Sequence, residues 1–210
     1  MVIDYNEEKN STFFSSDLHL HHSKIIDYCN RPYSSEEEMT STIISNWNSV
    51  INKSSTVYLL GDVIFKVPTE KAINTISQLN GKIHLILGNH DGEINKVTHL
   101  FSSISQYTEL KINLQEEHYK TLVLFHYPIN NWNKKSHGSW HGYGHIHSAK
   151  DKYPTDYSWD LGVDNNNYFP VSLEHLKSIM DMKARRNLED AETLEKYIQH
   201  FKSSVPLPKE

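Results

Sequence analysis

Three short hydrophobic runs in the first half of the chain predict β-strands, and each run is followed by a polar turn. The first, STFFSSD, ends at Asp17, and the second, TVYLLGD, ends at Asp62. The third covers residues 83–87 and precedes the turn GNHDG. Bulky and β-branched residues bounded by turn residues are typical of strands. Each predicted strand therefore delivers polar side chains at its carboxyl end.

Two stretches between and beside these strands have the spacing of amphipathic helices. In SSEEEMTSTIISNWNSVI, Ser35 and Glu38 form a capping box, and hydrophobic residues follow at helical intervals. TEKAINTISQL begins with Thr69 as the predicted N-cap and places its isoleucines on one face. Strands that alternate with helices predict a sheet flanked by helices.

The pattern changes in the second half of the chain, where strands follow one another. SQYTELKINLQEEHYKTLVLFHYP predicts two strands joined by a polar turn at 115–117, and the second strand closes on His126. YSWDLGVD predicts a further strand, and Ser172 is the N-cap of a helix that continues into, or bends towards, NLEDAETLEKYIQHF. The predicted fold class is α/β, with one domain over residues 1–210 and a C-terminal helical tail over about residues 172–202.

Composition narrows the classes of function. A chain of 210 residues fits one domain with a sizeable core. Its formal net charge of -5 disfavours binding that depends on broad neutralisation of nucleic-acid phosphates. The single Cys29 allows neither an internal disulfide nor a thiolate metal cluster, so we expect the cytoplasm as its compartment. No apolar run reaches the roughly 18 residues of a membrane span, which predicts a soluble protein without a membrane partner.

Residues that can ligate a metal recur at the ends of the predicted strands. The motif GHIH places two histidines two residues apart, a spacing at which both side chains of an extended segment point the same way. In open α/β sheets such residues converge outside the carboxyl ends of the strands. Oxygen and nitrogen ligands without sulfur suit divalent Mn, Fe, Ni or Zn. The candidates are Asp17, His19, Asp62, Asn89, His90, His126, His145 and His147.

These candidates exceed the number that one ion needs. Two ions roughly 3.5–4 Å apart would use them, and a carboxylate shared by both ions would hold that spacing. Asp62 is the predicted shared ligand. We expect two divalent ions, with Mn²⁺ favoured and iron, nickel, zinc or cobalt as the alternatives.

The ordered motifs D-x-H, G-D, G-N-H-D, H and G-H-x-H, between Asp17 and His147, resemble those of the calcineurin-like metallophosphoesterase superfamily. The likeness is greatest to the small single-domain members from phages and bacteria. It implies a four-layer αββα sandwich with two mixed β-sheets flanked by helices. It also implies the ligands of each ion, which are Asp17, His19, Asp62 and His147 for one and Asp62, Asn89, His126 and His145 for the other.

The resemblance further implies hydrolysis of a phosphate ester by a hydroxide that bridges the two ions. His90 would face the phosphoryl group and either stabilise the transition state or protonate the leaving oxygen, while Asp91 would fix its imidazole. Asn89 would contribute a neutral oxygen beside the substrate. Arg31, in NRPY, is a candidate for a bidentate clamp on a second phosphate or a carboxylate of the substrate.

The favoured substrate is a phosphodiester of a small nucleotide or a related metabolite. Phosphomonoesters and phosphoproteins are the alternative substrates within the same reaction class, and a nuclease is disfavoured by the net charge. A non-catalytic scaffold with vestigial metal sites is an alternative of a different class. Because every ligand position of the motifs is filled, the scaffold is the less favoured hypothesis.

Further polar and aromatic residues stay outside the predicted site. Four aromatic residues near the predicted site either stack on a nucleobase or pack at the rim of the site. They are Trp132, Trp140, Tyr143 and Tyr127. Asp164 precedes a run of asparagines and is interpreted as a turn residue. His137 and His141 are equally compatible with substrate contact and with loop polarity. Histidines expected to be solvated or satisfied by neighbours are His21, His22, His84, His99, His118, His175 and His200.

Overall fold

The protein is described by a computed structural model over residues 2–4, 11–114, 119–148 and 157–186. Within these ranges, ten strands form two five-stranded sheets. In spatial order the strands of the first sheet are β1 (Val2–Asp4), β6 (Tyr107–Asn113), β7 (Tyr119–Phe125), β8 (Trp140–Tyr143) and β9 (Ser158–Asp160). In this sheet β6 and β7 pair antiparallel, and the other neighbouring strands are parallel.

The second sheet carries the strand and helix alternation of the first half of the chain. In spatial order the strands of this sheet are β10 (Val171–Ser172), β2 (Thr12–Ser15), β3 (Thr56–Leu59), β4 (Lys82–Ile86) and β5 (Ser103–Ser105). Strands β2 to β5 are parallel to their neighbours, and the short strand β10 pairs antiparallel with β2. The mixed α/β architecture predicted from the sequence is therefore confirmed.

Four α-helices lie within the described residues: α1 (Ser23–Tyr28), α2 (Glu36–Val50), α3 (Thr69–Ile76) and α4 (Leu173–Arg186). Short 3₁₀ turns occupy 91–96, 98–100, 135–137 and 163–165. None of these helices combines the length and the apolar character that a membrane crossing requires. The second predicted tail helix lies outside the described residues.

Two of the three predicted helix starts are confirmed by their caps. The hydroxyl of Ser35 accepts a hydrogen bond from the Glu38 backbone N–H at 3.2 Å, and that of Ser172 accepts one from the His175 N–H at 3.1 Å. The predicted cap at Thr69 is wrong, because Pro68 occupies the N-cap position and Thr69 is already the first helical residue of α3. The fixed φ of proline suits the entry to a helix without a side-chain hydrogen bond.

The second sheet is buried on both faces, as parallel sheets usually are. Side chains alternate along β3, so Val57 and Leu59 join a core with α2 and α3, whereas Tyr58 and Leu60 join a second core with the first sheet. Trp47 of α2 is fully buried in the first of these cores. This sandwiched position fixes the carboxyl ends of β2, β3 and β4 at one edge.

Strand β8 was not predicted, because glycine and polar residues conceal it in the sequence. Its residue Trp140 joins the core between the two sheets, and its His141 lies on the opposite face. Trp132, from the preceding loop, packs on that opposite face at 5.1 Å between the ring centres of Trp132 and His141. Because Trp132, Trp140 and Tyr143 are all at least 93% buried, none of the three is available to stack on a nucleobase.

The buried His141 makes the stability of the fold depend on pH. Its Nδ1 lies 3.1 Å from the Val123 carbonyl and its Nε2 accepts from the Ile129 N–H at 3.4 Å, so the neutral ring is satisfied. Burial lowers the pKa of His141 to about 4, below the value of about 6.5 in an unfolded chain. The contribution of the neutral His141 ring to the free energy of unfolding is therefore complete above about pH 6.5 and is lost as the pH falls towards about 4.

We expect His141→Gln to remove this pH dependence. The parent should lose about 2 kcal/mol of unfolding free energy through this group between about pH 7.5 and pH 5, because only the unfolded state takes up the proton there. The difference in unfolding free energy between parent and variant should therefore be smaller by that amount at the lower pH than at the higher one. Denaturant titrations at both pH values measure it. His137→Gln, at an exposed histidine in the loop before β8, serves as the control. Parallel pH profiles for parent and His141→Gln would contradict the prediction.

Candidate metal centre

The parallel strands of the second sheet bring three loops to one edge. Asp17 follows β2, Asp62 follows β3 and Asn89 follows β4. Adjacent loops are held together by their backbones, because the Asp17 N–H donates to the Gly61 carbonyl at 3.1 Å and the His19 N–H to the Asp62 carbonyl at 2.9 Å. The convergence expected outside the carboxyl ends of parallel strands is thus built by local hydrogen bonds.

The first sheet supplies two more loops to the same place. His126 follows β7, and His145 and His147 follow β8, its parallel neighbour. The Gly144 N–H donates to the His126 carbonyl at 2.9 Å, and the His145 N–H donates to Oδ2 of Asp17 at 2.9 Å. A hydrogen bond therefore joins the loops of the two sheets at the site.

The predicted extended conformation of GHIH is wrong. Strand β8 ends at Tyr143, and the two histidines that follow have a left-handed backbone. Their imidazoles separate as a result, with the ring of His145 5.2 Å from that of His126 and the ring of His147 5.0 Å from that of His19. Side chains in this backbone region cost free energy unless the surrounding structure fixes them, and they cluster at functional sites. The site residues with positive φ are Asp17, His19, Asp62, His145 and His147.

Two glycines of the motifs are required by close approach. A Cβ at Gly88 would overlap the Asp62 carboxylate and lie 2.8 Å from Cε1 of His126. A Cβ at Gly144 would overlap the hydroxyl of Ser16 and the carboxylate of Asp17. The glycines of GNHD and GHIH therefore leave the space that the candidate ligands occupy.

The carboxylates lie between the imidazoles. Oδ2 of Asp62 is 3.5 Å from Nε2 of His19 and 3.6 Å from Nε2 of His126. Oδ1 of Asp17 is 4.0 Å from Nε2 of His19 and 3.9 Å from Nε2 of His147. These separations are too long for hydrogen bonds and suit ligand atoms arranged around a cation.

Two overlapping clusters place all their ligand atoms within 4.8 Å of one another. One contains Asp17, His19 and His147, and the other contains Asp17, Asp62 and His126. Asp17 belongs to both clusters, although the sequence predicted Asp62 as the shared ligand. The same oxygen of Asp62 faces the histidines of both clusters, so the two carboxylates together occupy the middle of the site.

His145 lies beside these clusters without being a member of either. Its half-buried ring packs against Tyr127 at 4.6 Å between ring centres, and burial lowers its pKa, with a further contribution from the charge of His126. A neutral imidazole is the form that binds a metal. His145 is therefore placed at the rim of the site, next to the His126 ring.

The hydrogen bonds of His126 leave an acceptor facing an acceptor. Its Nδ1 lies 2.6 Å from the Leu60 carbonyl and must donate to it, so Nε2 of the neutral ring is an acceptor. That Nε2 lies 3.0 Å from Oδ1 of Asn89, which is also an acceptor. Ligand atoms about 2.1 Å from one ion and at right angles lie about 3 Å apart, so a cation fits this pair.

Two other polar atoms point into the centre without a hydrogen-bond partner. They are Oδ1 of Asp17 and Nε2 of His19, both within side chains that are at least 98% buried. Buried polar atoms are nearly always paired, and a bound ion can take the place of a hydrogen-bond partner. Burial raises the pKa of Asp17 and lowers the pKa of His19, so a bound cation would offset the penalty on the carboxylate.

His147 is held by a carboxylate that the sequence interpretation had assigned to a turn. Nδ1 of His147 lies 2.8 Å from Oδ2 of Asp164. Burial alone would lower the pKa of His147, but the hydrogen bond to Asp164, a contact with Cys29 and the charges of Asp17 and Asp164 together raise it to about 10. In turn, His147 and Arg31 hold the pKa of Asp164 below its usual value against the effect of burial. Metal binding at His147 would therefore displace a proton.

The predicted role of Arg31 as a substrate clamp is contradicted by its contacts. Its side chain is fully buried, and its Nε and Nη2 donate to the two oxygens of Asp164, each at 2.8 Å. Nη2 also donates to the Asp17 carbonyl at 2.8 Å, and Nη1 donates to the Leu18 carbonyl at 3.0 Å and to the sulfur of Met39 at 3.4 Å. All five donors of the guanidinium are used, which leaves none for a substrate.

The predicted contact of Asp91 with His90 is also replaced by others. The Asp91 carboxylate accepts from the backbone N–H groups of Asp62, Val63 and Gly88 at 2.8–3.1 Å, so it braces two site loops. His90 is exposed, its ring lies 5.5 Å from that of Phe65, edge to face, and its backbone N–H donates to Oδ1 of Asp62 at 2.8 Å. His90 is thus oriented by an aromatic ring and not by a carboxylate.

Sequence reasoning also missed Asp160 and His22. The Asp160 carboxylate accepts from the Gly162 and Ser148 N–H groups, and burial, followed by the charge of Asp17, raises its pKa to about 7. Its place at the end of a predicted strand was the same signal that identified Asp17. His22 is buried, with its Nδ1 3.3 Å from Nδ1 of His19, and no pattern in the sequence marks it.

The candidate ligands open into a cleft of about 1090 Å³. Asp17 and His126 lie fully buried beneath it, whereas His90 is exposed to it. Phe65, Lys66 and residues of α1 also line the cleft. The ligands that line the cleft are His19, Asp62, Asn89, His145 and His147.

The fold and the site together define a mixed α/β protein in which five loops at the edges of two sheets gather carboxylates and imidazoles around one cleft. The chain belongs to the family of the uncharacterized protein MJ1445 of Methanocaldococcus jannaschii, to which it is 35% identical over 187 residues, covering 85% of this chain and 96% of the relative. The Gene 66 protein of Mycobacterium phage L5 is 28% identical over 162 residues, covering 66% of this chain and 78% of that protein.

A solved structure supports the fold. The crystal structure of the protein of unknown function AQ665 from Aquifex aeolicus matches with a TM-score of 0.64, over 80% of this chain and 98% of that chain. The two sequences are 21% identical, so this similarity concerns the fold alone. No protein-family model matches the chain.

Proposed function

We propose that the protein is a dinuclear metal-dependent phosphoesterase of the calcineurin-like type, with the four-layer αββα arrangement of that superfamily. The observation that carries the proposal is the set of acceptor atoms that face one another at the centre, above all Nε2 of His126 and Oδ1 of Asn89 at 3.0 Å. A cation among these atoms would satisfy them all at once.

The proposed ligands follow the motifs. One ion is held by Asp17, His19, Asp62 and His147, and the other by Asp62, Asn89, His126 and His145. The two clusters of ligand atoms support the separation of His19 and His147 from His126, whereas Asp17 belongs to both clusters and His145 to neither. When bound, divalent Mn, or alternatively Fe, Ni, Zn or Co, activates water as a nucleophile at neutral pH and offsets charge on phosphoryl oxygens.

The protein's own groups would then act on the substrate from the cleft. Exposed His90 faces the space above the ligands and would donate a hydrogen bond or a proton to the ester oxygen. The proposed substrate is a diester of a small nucleotide or related metabolite, which a cleft of about 1090 Å³ can hold, and a phosphomonoester is the alternative. Phe65 and Tyr28 line it and replace the buried tryptophans as candidate stacking partners. The proposed compartment is the cytoplasm, where the thiol of Cys29 stays reduced.

Hydrolysis of bis-p-nitrophenyl phosphate in the presence of Mn²⁺ is the expected result of a direct assay. A chelator should abolish the release of p-nitrophenolate, and added Mn²⁺ should restore it, because the ligand set supplies no protein nucleophile for the reaction. Turnover of the monoester p-nitrophenyl phosphate should be slower than turnover of the diester. Inactivity towards both esters with Mn²⁺, Fe²⁺, Ni²⁺, Zn²⁺ and Co²⁺, in a folded sample, would refute the proposal.

A further inference from the structure

We infer that Asp164 and Arg31 are positioning residues that prepare the binding site of one metal ion, and that Asp164, which acts through His147, leaves the other site unaffected. The inference rests on the proposed two-ion centre. It concerns the ion assigned to Asp17, His19, Asp62 and His147. Neither Asp164 nor Arg31 is among the residues that line the cleft. Both therefore act through the residues that they contact.

The first step is the orientation of His147. Asp164 accepts from Nδ1 at 2.8 Å, and the opposite nitrogen, Nε2, points towards Oδ1 of Asp17 at 3.9 Å. A carboxylate that accepts from one ring nitrogen fixes the tautomer and leaves the other nitrogen for a metal. Asp164 thus determines which edge of the His147 ring faces the centre.

The second step is the orientation of Asp17. Arg31 holds both oxygens of Asp164 and also donates to the carbonyls of Asp17 and Leu18. Asp17 has a φ of 58°, a backbone conformation that aspartate adopts only when its surroundings enforce it. The buried guanidinium is therefore a rigid link between the partner of His147 and the backbone turn that presents Asp17.

Apart from Asp17, which belongs to both clusters, the other proposed site is oriented by different groups. The ring of His126 is fixed by the Leu60 carbonyl, and the carboxylate of Asp62 by the His90 N–H. These hydrogen bonds come from β3 and from the loop after β4. Loss of Asp164 should accordingly affect one ion and spare the other.

Isothermal titration with Mn²⁺ of the parent protein and of Asp164→Asn tests the inference. We expect the parent to bind two ions and the variant to bind one of them with about 10–100-fold lower affinity. Electron paramagnetic resonance gives an independent readout, because the spin-coupled signal of an ion pair should become that of an isolated Mn²⁺ at limiting metal. Neither measurement depends on turnover.

A second variant separates positioning from folding. Asp164→Glu keeps a charge opposite Arg31 but moves the carboxylate away from Nδ1 of His147, and it should weaken the same single site. Asp181→Asn, at an exposed carboxylate on α4 paired with Lys177, should leave both sites unchanged. Cys29→Ser tests whether the thiol that contacts His147 is itself a ligand. Because serine can keep the hydrogen bond to His147, both sites should be unchanged in this variant.

The outcomes distinguish failure of the inference from failure of the proposed function. A parent that binds no Mn²⁺ would overturn both. A parent that binds two ions, with Asp164→Glu retaining both affinities or losing both equally, would overturn the inference alone. Loss of one ion in Cys29→Ser as well would assign the effect to a thiol-containing site and would likewise overturn it.

Discussion

Replacement of Asp62 by asparagine should remove most of the bound metal and nearly all of the activity. The same carboxylate oxygen faces His19 at 3.5 Å and His126 at 3.6 Å, so both proposed ions lose a negatively charged ligand in one substitution. Ions at such sites supply several kcal/mol of transition-state stabilisation, which corresponds to a loss of about 10³-fold or more in kcat. Metal analysis after dialysis and a diesterase assay measure the two effects.

The asparagine keeps the local structure intact, which sharpens the test. Its amide oxygen still accepts from the His90 N–H, which donates to Asp62 at 2.8 Å in the parent. Without metal, the variant should unfold at a temperature no lower than that of the parent, because a buried charge has been removed. Added Mn²⁺ should raise the unfolding temperature of the parent and of the Asp181→Asn control, but not of this variant. Metal content equal to that of the parent would refute the shared-ligand assignment.

The sequence was sufficient to predict residues that lie at the ends of regular elements. Asp17, Asp62 and Asn89 each follow a hydrophobic run, and parallel pairing of β2, β3 and β4 brings their loops together as expected. Their proposed roles as ligands remain predictions. The alternation of burial along the strands likewise follows from the pattern of the sequence.

Features that depend on contacts between distant segments could not be predicted. Arg31 and Asp164 are separated by 133 positions, and each looks like a loop residue when considered alone. Nothing in the local pattern indicates that their charges are buried together. The left-handed backbone at His145 and His147 cannot be read from the local sequence either, because residues other than glycine hold this conformation only where the surrounding structure enforces it.

The contacts of Asp91 change the proposed role of His90 in the mechanism. The motif suggested a carboxylate beside an imidazole, yet three backbone N–H groups already occupy the oxygens of Asp91. His90 therefore has no charged partner fixed by Asp91, and its ring packs edge to face against Phe65 and His19 at 5.5 Å and 5.6 Å between centres. The exposed ring of His90 therefore faces the cleft without a carboxylate partner from Asp91.

His90→Ala should lower kcat by about 10²–10⁴-fold and leave metal content unchanged. The ring is exposed to the cleft and belongs to neither cluster of ligand atoms, and the backbone N–H that binds Asp62 is retained in alanine. The loss should depend on the leaving group. An alkyl phosphodiester needs a proton on its departing oxygen and should suffer the full effect, whereas p-nitrophenolate leaves without one and should suffer much less.

Comparison of the two esters, with metal analysis of each sample, therefore identifies what His90 does. His99→Ala, at an exposed histidine in a neighbouring 3₁₀ turn, controls for the loss of an imidazole from the surface. Equal losses for both esters would assign His90 to stabilisation of phosphoryl charge instead of proton donation. Unchanged turnover of both esters would remove His90 from the reaction altogether, because a general acid that faces the departing oxygen cannot be deleted without slowing the alkyl ester.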